Sequence, residues 1–141
     1  MKQKRMLKVE DLMTTAVLSM KESDTLSAAQ LEMKMAEIRH LPVVDAKSHV
    51  VGVISDRDVL RVLTKIDGKP IPVTQIMSRR VRTATASMPA HEAAALMLEN
   101  KIGCLPVVND EQVLVGIVTE TDFLKIAEQA LLGVDVTRRP S

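Results

Sequence analysis

Hydrophobic and polar positions form two kinds of pattern along this chain, a helical period and short β-branched runs. Over residues 25–38 apolar side chains recur every three or four positions, which predicts a helix with its N-cap at Ser23 or Asp24. Short β-branched runs at 41–44 and 50–54 predict buried strands joined by a polar turn. Flanking these, the pattern predicts a helical turn at 9–13, a strand near 17–20 and a helix over 55–65.

The helix predicted over 25–38 carries two adjacent rows of apolar side chains. One row contains Ala28, Leu31, Met35 and Ile38, and the row beside it contains Leu26, Ala29 and Met33. A polar row of Ser27, Gln30, Lys34 and Glu37 lies opposite. This arrangement predicts an amphipathic helix with a wide buried face.

The same order of elements returns after a constant offset of 64 residues. Residues 41–58 read LPVVDAKSHVVGVISDRD and residues 105–122 read LPVVNDEQVLVGIVTETD. The offset also relates Met13 to Met77, outside these segments. We therefore predict the same elements in the second half: a turn at 73–77, a strand near 81–85, a helix over 89–101 with Pro89 in its first position, strands at 105–108 and 113–118, and a helix over 120–132.

The duplication predicts an α/β (α+β) fold of two β-α-β-β-α repeats. Because neither half has a large core, we expect the halves to pack on each other about a pseudo-twofold axis, leaving clefts at the edges of their interface. Glycine and prolines near residue 70 interrupt the pattern and indicate a linker. The expected divisions are a first repeat at 9–65, a linker at 66–72, a second repeat at 73–132, and flexible termini at 1–8 and 133–141.

Charge and composition argue against two classes of partner. Nineteen basic and 18 acidic residues give a formal net charge of +1, and Phe123 is the single aromatic residue, so we expect no nucleic-acid binding. No apolar stretch approaches the roughly 20 residues that span a bilayer. The single cysteine, Cys104, cannot form a disulfide within the chain, which suits a reducing compartment. We predict a cytoplasmic protein without a membrane partner.

The strongest candidate for chemistry is a signature that occurs once in each half, at 52–58 and 116–122. It consists of Gly, two β-branched residues, Ser55 or Thr119, two variable residues, and Asp58 or Asp122. A carboxylate at a strand-to-helix junction can accept two hydrogen bonds from a sugar diol, and the hydroxyl can bind the ribose or a phosphate. The alternative is a capping box, in which the hydroxyl and the Asp satisfy only the helix end.

Motifs for catalysis or metal binding are lacking in the sequence. There is no Ser-His-Asp arrangement and no glycine-rich phosphate loop. His40, His49 and His91 have no metal-ligand spacing among themselves or with Cys104, so we expect no metal site. Cys104 is predicted to be a small buried residue. We therefore expect a protein that is not an enzyme.

The ordered set of motifs resembles a tandem pair of CBS domains, the arrangement also called a Bateman module. The matching elements of the two halves are residues 11–14, 38–45 and 52–58, and residues 75–78, 102–109 and 116–122. The resemblance covers about residues 9 to 132. It implies that adenosine ligands bind in two clefts between the halves, with the signature Asp on the ribose.

The resemblance also implies which residues contact the ligand. The signature Asp and its hydroxyl residue hold the ribose, residues just before each LPVV strand close over the nucleotide from the opposite half, and the backbone after each Met-Thr or Met-Ser element contacts adenine. The implied ligand-binding residues are Asp58, Ser55, Arg57, Arg39, Ile38, Thr14, Asp122, Thr119, Thr121, Ile102, Gly103 and Ser78, with His40, Val17 and Val81 as further candidates.

Cationic side chains are unequally distributed between the halves. The first half has Arg39, His40 and Arg57 where the second has Gly103, Cys104 and Thr121. Because phosphate groups bind arginine well, we predict that the two sites differ in affinity or in ligand. A further basic cluster at 79–82 is predicted to be solvated surface.

These features lead to the hypothesis of a regulatory module that senses an adenosine ligand. AMP is the leading ligand, followed by ADP and ATP, with NAD and S-adenosylmethionine as further candidates. Binding is expected to change the arrangement of the halves and to signal to a separate, unidentified effector protein. The resemblance also implies a homodimer formed through helices. The alternative hypothesis is a structural homodimerisation module without ligand binding.

Overall fold

The computed structural model describes residues 5–63 and 69–137. Its elements in chain order are α1 (Val9–Leu12), β1 (Met20–Lys21), α2 (Leu26–Ala36), β2 (His40–Val44), β3 (Val50–Ser55), α3 (Asp56–Leu63), a 3-10 turn (Val73–Gln75), α4 (Ala90–Asn100), β4 (Cys104–Val108), β5 (Leu114–Thr119) and α5 (Glu120–Leu131). This order confirms the mixed α/β class. Parts of the predicted termini, linker and third helix, at 1–4, 64–68 and 138–141, lie outside the described residues.

The chain divides into two compact units, and neither unit is a continuous half of the sequence. The first-signature unit comprises 16–81 and 110–114 and contains the signature at 52–58. The second-signature unit comprises 1–15, 82–109 and 115–141 and contains the signature at 116–122. The segments that begin each sequence repeat are thus exchanged between the units. The repeat boundaries at 9–65 and 73–132 stay a prediction about the sequence.

A three-stranded sheet in the order β1-β2-β3 forms the first-signature unit together with α2 and α3. Strand β1 runs parallel to β2, and β3 runs antiparallel to it, with His40 opposite Ser55. Apolar side chains from the sheet, both helices and the 3-10 turn fill one core, which contains Met20, Leu26, Ala29, Met33, Leu41, Val43, Ile54, Val59, Val73 and Met77. Four consecutive residues of β2, at 41–44, are buried, whereas burial alternates along β3, so the apolar run of β2 marks the strand that is buried on both faces.

Strands β4 and β5 pair in the second-signature unit. The core of this unit combines α1 and α4 with the two strands and contains Val9, Ala84, Ala93, Met97, Leu105, Val107 and Val118. Val9 is fully buried although it lies at the start of the chain. The N-terminal helical turn is therefore an integral part of the core around the second signature.

Two of the predicted strands differ from the structure: one is shorter than predicted, and the other is reduced to a single bridge. The strand expected near 17–20 is reduced to Met20–Lys21, because only Met20 turns into the core while Leu18 is 43% exposed. The strand expected near 81–85 is wrong among the described residues, since only Ala84 pairs, through a parallel bridge to Val107. β-branched composition raised the strand propensity of both segments, but a strand also requires a partner along its length.

Helix α2 begins and ends at different residues from those predicted. Its N-cap is Thr25, whose side chain accepts a hydrogen bond from the Ala28 amide at 3.2 Å. Asp24 instead accepts from the Lys21 amide at 2.7 Å and closes the preceding turn. The helix ends before Glu37, which adopts a left-handed conformation with φ 55°. Ile38 therefore lies beyond the helix rather than on its apolar row.

The wide buried face predicted for α2 was also wrong. Leu26, Ala29 and Met33 are buried, whereas Leu31 and Met35 are 57% and 76% exposed. A helix that packs on one side of a sheet buries only the row that faces the sheet. Leu31 and Met35 of the second apolar row therefore lie at the surface of the chain, whereas Ala28 and Ile38 are partly buried against the core.

Helix α4 also begins at a different residue from the one predicted. Pro89 occupies the N-cap, with φ −56° and ψ 135°, rather than the first helical position. The Ala90 amide donates to the Leu7 carbonyl at 2.8 Å, and Lys8 forms an antiparallel bridge with Pro89. Arg5 forms an ion pair with Asp11 at 2.9 Å. These contacts join residues 5–8 to the second-signature unit. The flexible termini at 1–8 and 133–141 stay a prediction.

Candidate ligand-binding sites

The first signature places a hydroxyl and a carboxylate together where β3 meets α3. Ser55 Oγ donates a hydrogen bond to Asp58 Oδ2 at 2.8 Å and accepts one from the Asp58 amide at 3.2 Å. Asp58 is half-buried, and its Oδ1 has no hydrogen-bond partner within residues 5–63 and 69–137. One carboxylate oxygen is thus fixed by the protein while the other can still accept hydrogen bonds from a ligand.

The second signature repeats this arrangement where β5 meets α5. Asp122 Oδ2 accepts from the Thr119 amide at 2.8 Å and from Thr119 Oγ1 at 3.4 Å. The Thr119 side chain accepts from the Asp122 amide, which completes a capping box. The capping interpretation is therefore confirmed at this helix. It does not exclude a ligand, because capping uses one of the two carboxylate oxygens.

A backbone segment lies against each signature strand. In the first-signature unit, Val53 and Ser78 exchange hydrogen bonds at 3.0 and 2.9 Å. In the second-signature unit, Ile117 and Thr14 exchange hydrogen bonds at 3.0 and 2.9 Å. Ser78 therefore accompanies Asp58, and Thr14 accompanies Asp122, which the repeat order alone did not reveal.

Glycine is required for this close approach. A Cβ atom on Gly52 would contact Met77 Sδ and would lie 2.8 Å from Met77 Cγ and 3.1 Å from the Ser78 carbonyl oxygen. A Cβ on Gly116 would lie 2.8 Å from Met13 Sδ and 3.2 Å from the Thr14 carbonyl oxygen. Met13 and Met77, one in each exchanged segment, thus pack on the signature glycines, which explains why Gly and Met repeat together at the 64-residue offset.

Residues before β2 and β4 flank the signature of their own half. The Asp56 amide donates to the Arg39 carbonyl at 2.9 Å, and the Glu120 amide donates to the Gly103 carbonyl at 3.1 Å. The resemblance implied that residues 38–39 and 102–103 approach from the opposite half. Within each unit, Arg39 and Gly103 bond to the first helical residue after the signature strand of the same half, and their approach to a ligand from the opposite half stays a prediction.

The remaining predicted residues have different surroundings. Arg57 and Thr121 are exposed in the first turns of α3 and α5. Val17 and Val81 are half-buried, and no hydrogen bond joins either to a signature within the part of the chain that the structure describes. His40 is half-buried and pairs with Ser55 across the β2–β3 ladder.

Cys104 occupies the position in the second half that His40 occupies in the first. Its side chain is 5% exposed. Burial, followed by the nearby Glu120 carboxylate, raises the pKa of the Cys104 thiol to about 12. The predicted buried thiol is confirmed, and it is neutral at physiological pH.

Sequence reasoning missed a groove between α2 and α3 in the first-signature unit. It encloses about 270 Å³, and its residues are Gln30, Met33, Lys34, Glu37, Ile38, Asp56, Val59 and Leu60. Ile38, which the resemblance assigned to the nucleotide, lines this groove and packs against the core. The exposure of Leu60 could not be foreseen from periodicity, since it depends on which side of α3 meets α2.

The described ranges contain neither a metal-binding cluster nor a bilayer-spanning helix. No group of three or more His, Cys, Asp or Glu side chains there is arranged to hold a metal ion. No helix in those ranges has both the length and the apolar character to cross a membrane.

Comparison with known proteins agrees with this geometry. Residues 9–65 and 73–128 each match the CBS domain family model, and the chain belongs to this family as a tandem pair. It is 35% identical over 118 residues to inosine-5'-monophosphate dehydrogenase of Methanocaldococcus jannaschii, which covers 84% of this chain and 23% of that protein. The chain thus spans about a quarter of the length of that relative.

Two solved structures share the fold and were determined with adenosine compounds. The CBS domain pair of protein MJ0100, in complex with 5'-methylthioadenosine and S-adenosyl-L-methionine, has a TM-score of 0.81 and 28% identity, covering 89% of this chain and 98% of that one. CBSX2 in complex with AMP has a TM-score of 0.75 and 30% identity, covering 88% and 98%. The predicted fold of two CBS repeats is therefore confirmed.

Proposed function

We propose that this chain is a non-catalytic regulatory module that binds adenosine ligands at Asp58 and Asp122. The observation that carries the proposal is the duplicated hydroxyl–carboxylate pair, Ser55 with Asp58 and Thr119 with Asp122, held against an exchanged backbone segment in both units. The structures of relatives with AMP, 5'-methylthioadenosine and S-adenosyl-L-methionine support an adenosine-containing ligand. AMP is the leading candidate, with ADP, ATP, NAD and S-adenosylmethionine as the others.

The ribose is the part of the ligand that these pairs recognise. The ligand's 2'- and 3'-hydroxyl groups donate to the carboxylate, which remains an acceptor because only one of its oxygens is used by the hydroxyl residue. A charge-assisted hydrogen bond of this kind contributes about 1.5–3 kcal/mol. Removal of either Asp therefore weakens its own site strongly.

Adenine is recognised by residues just beyond Ser78 and Thr14. The amide and carbonyl of Ser78 are already bonded to Val53, and those of Thr14 to Ile117. In the first-signature unit the next residues, up to the half-buried Val81, carry backbone groups and an apolar side chain that suit a flat base. We therefore propose Val81 for the adenine end of the ligand at Asp58, while in the second-signature unit the residue that follows Thr14 is Thr15.

Signalling then follows from a shift in population. A ligand that binds one arrangement of the two repeats more tightly biases the chain toward that arrangement and so alters its affinity for a separate effector protein. We place this activity in the cytoplasm. The chain is proposed to act as a homodimer that contacts its partner copy through the helices.

A titration with adenosine compounds tests this proposal. Calorimetry and thermal denaturation with AMP, ATP, NAD and S-adenosylmethionine should show saturable binding, and 100-fold excess over Kd should stabilise the protein by about 2.7 kcal/mol. Asp58→Ala and Asp122→Ala should each remove one site. Asp110→Ala, at an exposed acidic residue in a turn, is the matched control and should bind normally. Absence of binding by the intact protein to every compound would refute the proposal.

A structural homodimerisation module is the second candidate function. It is favoured by the exposed apolar side chains of α2 and α3, since Leu31, Met35 and Leu60 are 57%, 76% and 53% exposed. A stable dimer in sedimentation experiments, combined with no response to any adenosine compound, would support this candidate. A dimer that also binds AMP would support the sensor.

A further inference from the structure

We propose that the two sites select adenosine ligands of different charge. The site at Asp58 takes a ligand that carries phosphate, and the site at Asp122 takes an adenosine ligand without phosphate. This inference rests on the proposed function and adds the ligand class of each site. It depends on four arginines, Arg39, Arg57, Arg79 and Arg80, that belong to the same compact unit as Asp58.

The first difference in charge between the sites at Asp58 and Asp122 comes from the exchanged segments. Ser78 is bonded to Val53 of the first signature, so the two residues that follow it, Arg79 and Arg80, belong to that unit. Thr14 is bonded to Ile117 of the second signature and is followed by Thr15 and Ala16. The basic cluster at the start of the second sequence half therefore adds charge to the site of the first half.

The second difference in charge between the two sites comes from residues before β2 and in the first turn of α3. The Arg39 carbonyl accepts from the Asp56 amide, and Arg57 follows directly in α3. The equivalent contact in the second-signature unit is between Gly103 and Glu120, and Thr121 follows in α5. At the 64-residue offset, Arg39, Arg57, Arg79 and Arg80 correspond to Gly103, Thr121, Thr15 and Ala16, so none of the four equivalent positions carries a cation.

The arginines are available to a ligand. Arg39, Arg57 and Arg80 are exposed, and none forms an ion pair with any residue in 5–63 or 69–137. The Arg79 side chain donates one hydrogen bond, to the Thr74 carbonyl at 3.3 Å, and is exposed. A guanidinium has five donors, so Arg79 can still bind phosphate.

The other charged groups do not make the two sites equal in positive charge. Arg61 on α3 and Lys125 on α5 are equivalent, as are Asp56 and Glu120. Cys104, which replaces His40, is a neutral buried thiol. Two changes go the other way, Lys101 for Glu37 and Arg82 for Leu18, and these add two cations and remove one carboxylate, against four arginines in the first-signature unit. A phosphate therefore finds more cationic partners near Asp58.

Single-site variants of the full chain separate the two ligand classes. Asp122→Ala leaves the site at Asp58, which should bind AMP roughly tenfold or more tightly than adenosine, because arginine–phosphate hydrogen bonds are charge-assisted. Asp58→Ala leaves the site at Asp122, which should bind AMP no more tightly than adenosine. Asp58→Asn and Asp122→Asn provide second variants that keep the size of the side chain if either Ala variant fails to fold.

Arginine variants test the cause of the selectivity. In the Asp122→Ala background, the pair Arg79→Gln and Arg80→Gln should weaken AMP binding roughly tenfold or more and leave adenosine binding unchanged. Arg82→Gln and Lys101→Gln, made separately, are matched controls and should change AMP affinity less than twofold. Equal ratios of AMP to adenosine affinity in Asp58→Ala and Asp122→Ala would overturn the inference while leaving the proposed function intact. No binding of either compound to the intact chain would instead refute the proposed function, and this inference with it.

Discussion

Ser78 and Val53 exchange both of their backbone hydrogen bonds, at 2.9 and 3.0 Å, although 25 residues separate them in the chain. This exchange places the start of the second sequence repeat against the signature strand of the first. Thr14 and Ile117 make the reciprocal pairing in the other unit. Each signature therefore takes its neighbouring segment from the other repeat, and this determines which charged residues accompany each Asp.

Gly52 is predicted to be essential for this pairing. Gly52→Ala should lower the free energy of unfolding by about 1–3 kcal/mol, because the added Cβ overpacks against Met77, which is buried, and the Ser78 carbonyl. Gly116→Ala is the matched variant and should cost less, since Met13 is only half-buried and its side chain can move. Equilibrium urea unfolding measures both. An equal loss of stability in Gly52→Ala and Gly116→Ala would contradict the predicted difference between the two glycines.

The two apolar rows of α2 are predicted to differ in their contribution to stability. Leu26→Ala should cost about 2–5 kcal/mol, because Leu26 is 1% exposed and its removal leaves a cavity. Leu31→Ala makes the same chemical change on the same helix and should cost less than about 0.5 kcal/mol, because Leu31 is 57% exposed. Urea unfolding of dilute protein compares them. Comparable losses would show that the Leu31 row is buried.

The N-cap of α2 gives a third prediction. Thr25→Ala should lower the free energy of unfolding by about 1 kcal/mol, since the Ala28 amide loses its acceptor. Thr25→Ser keeps the acceptor oxygen and should retain most of the stability. Ser23→Ala should have little effect on the free energy of unfolding. A larger loss of stability in Ser23→Ala than in Thr25→Ala would show that Ser23 is the N-cap.

Cys104 is predicted to be unreactive in the folded chain. Burial raises the pKa of its thiol from 9.0 to about 12, so iodoacetamide should alkylate it slowly at pH 8 and rapidly in urea. Equal rates in both conditions would contradict this burial.

The same pKa shift predicts a pH dependence of stability. Above pH 9 the unfolded chain releases the thiol proton while the folded chain keeps it, so the unfolded state binds fewer protons and stability falls between pH 9 and about 12. Cys104→Ala should lose this part of the decline. An identical pH profile for the variant and the parent chain would contradict the prediction.

Much of the fold could be predicted because its determinants are local. The β-branched runs identify β2 and β3, and the Gly-to-Asp signatures identify the points where β3 and β5 end at helix N-termini. The ends of α2 could not be placed as well, because Ser23, Asp24 and Thr25 are all good capping residues and only the surrounding turn decides among them. The strand expected near 81–85 failed because partner availability is a tertiary property.

The candidate sites show the same limit. Ser55, Asp58, Thr119 and Asp122 were found from spacing, since their contacts span three residues. Arg79 and Arg80 were assigned to solvated surface because the repeat order separates them from Asp58. Only the long-range pairing of Ser78 with Val53 brings them into the same unit. Long-range backbone contacts have no signal in a single sequence.

The central claim, that an adenosine ligand binds at the signatures, is tested most directly by mapping AMP on the ¹⁵N-labelled 15.5 kDa chain by NMR. The amide signals of residues 53–58 and 78–81 should shift saturably with AMP, and Asp58→Ala should abolish these shifts. Asp110→Ala should leave them unchanged. An absence of shifts at millimolar AMP, or saturable shifts confined to residues outside both signatures and their paired segments, would contradict the account.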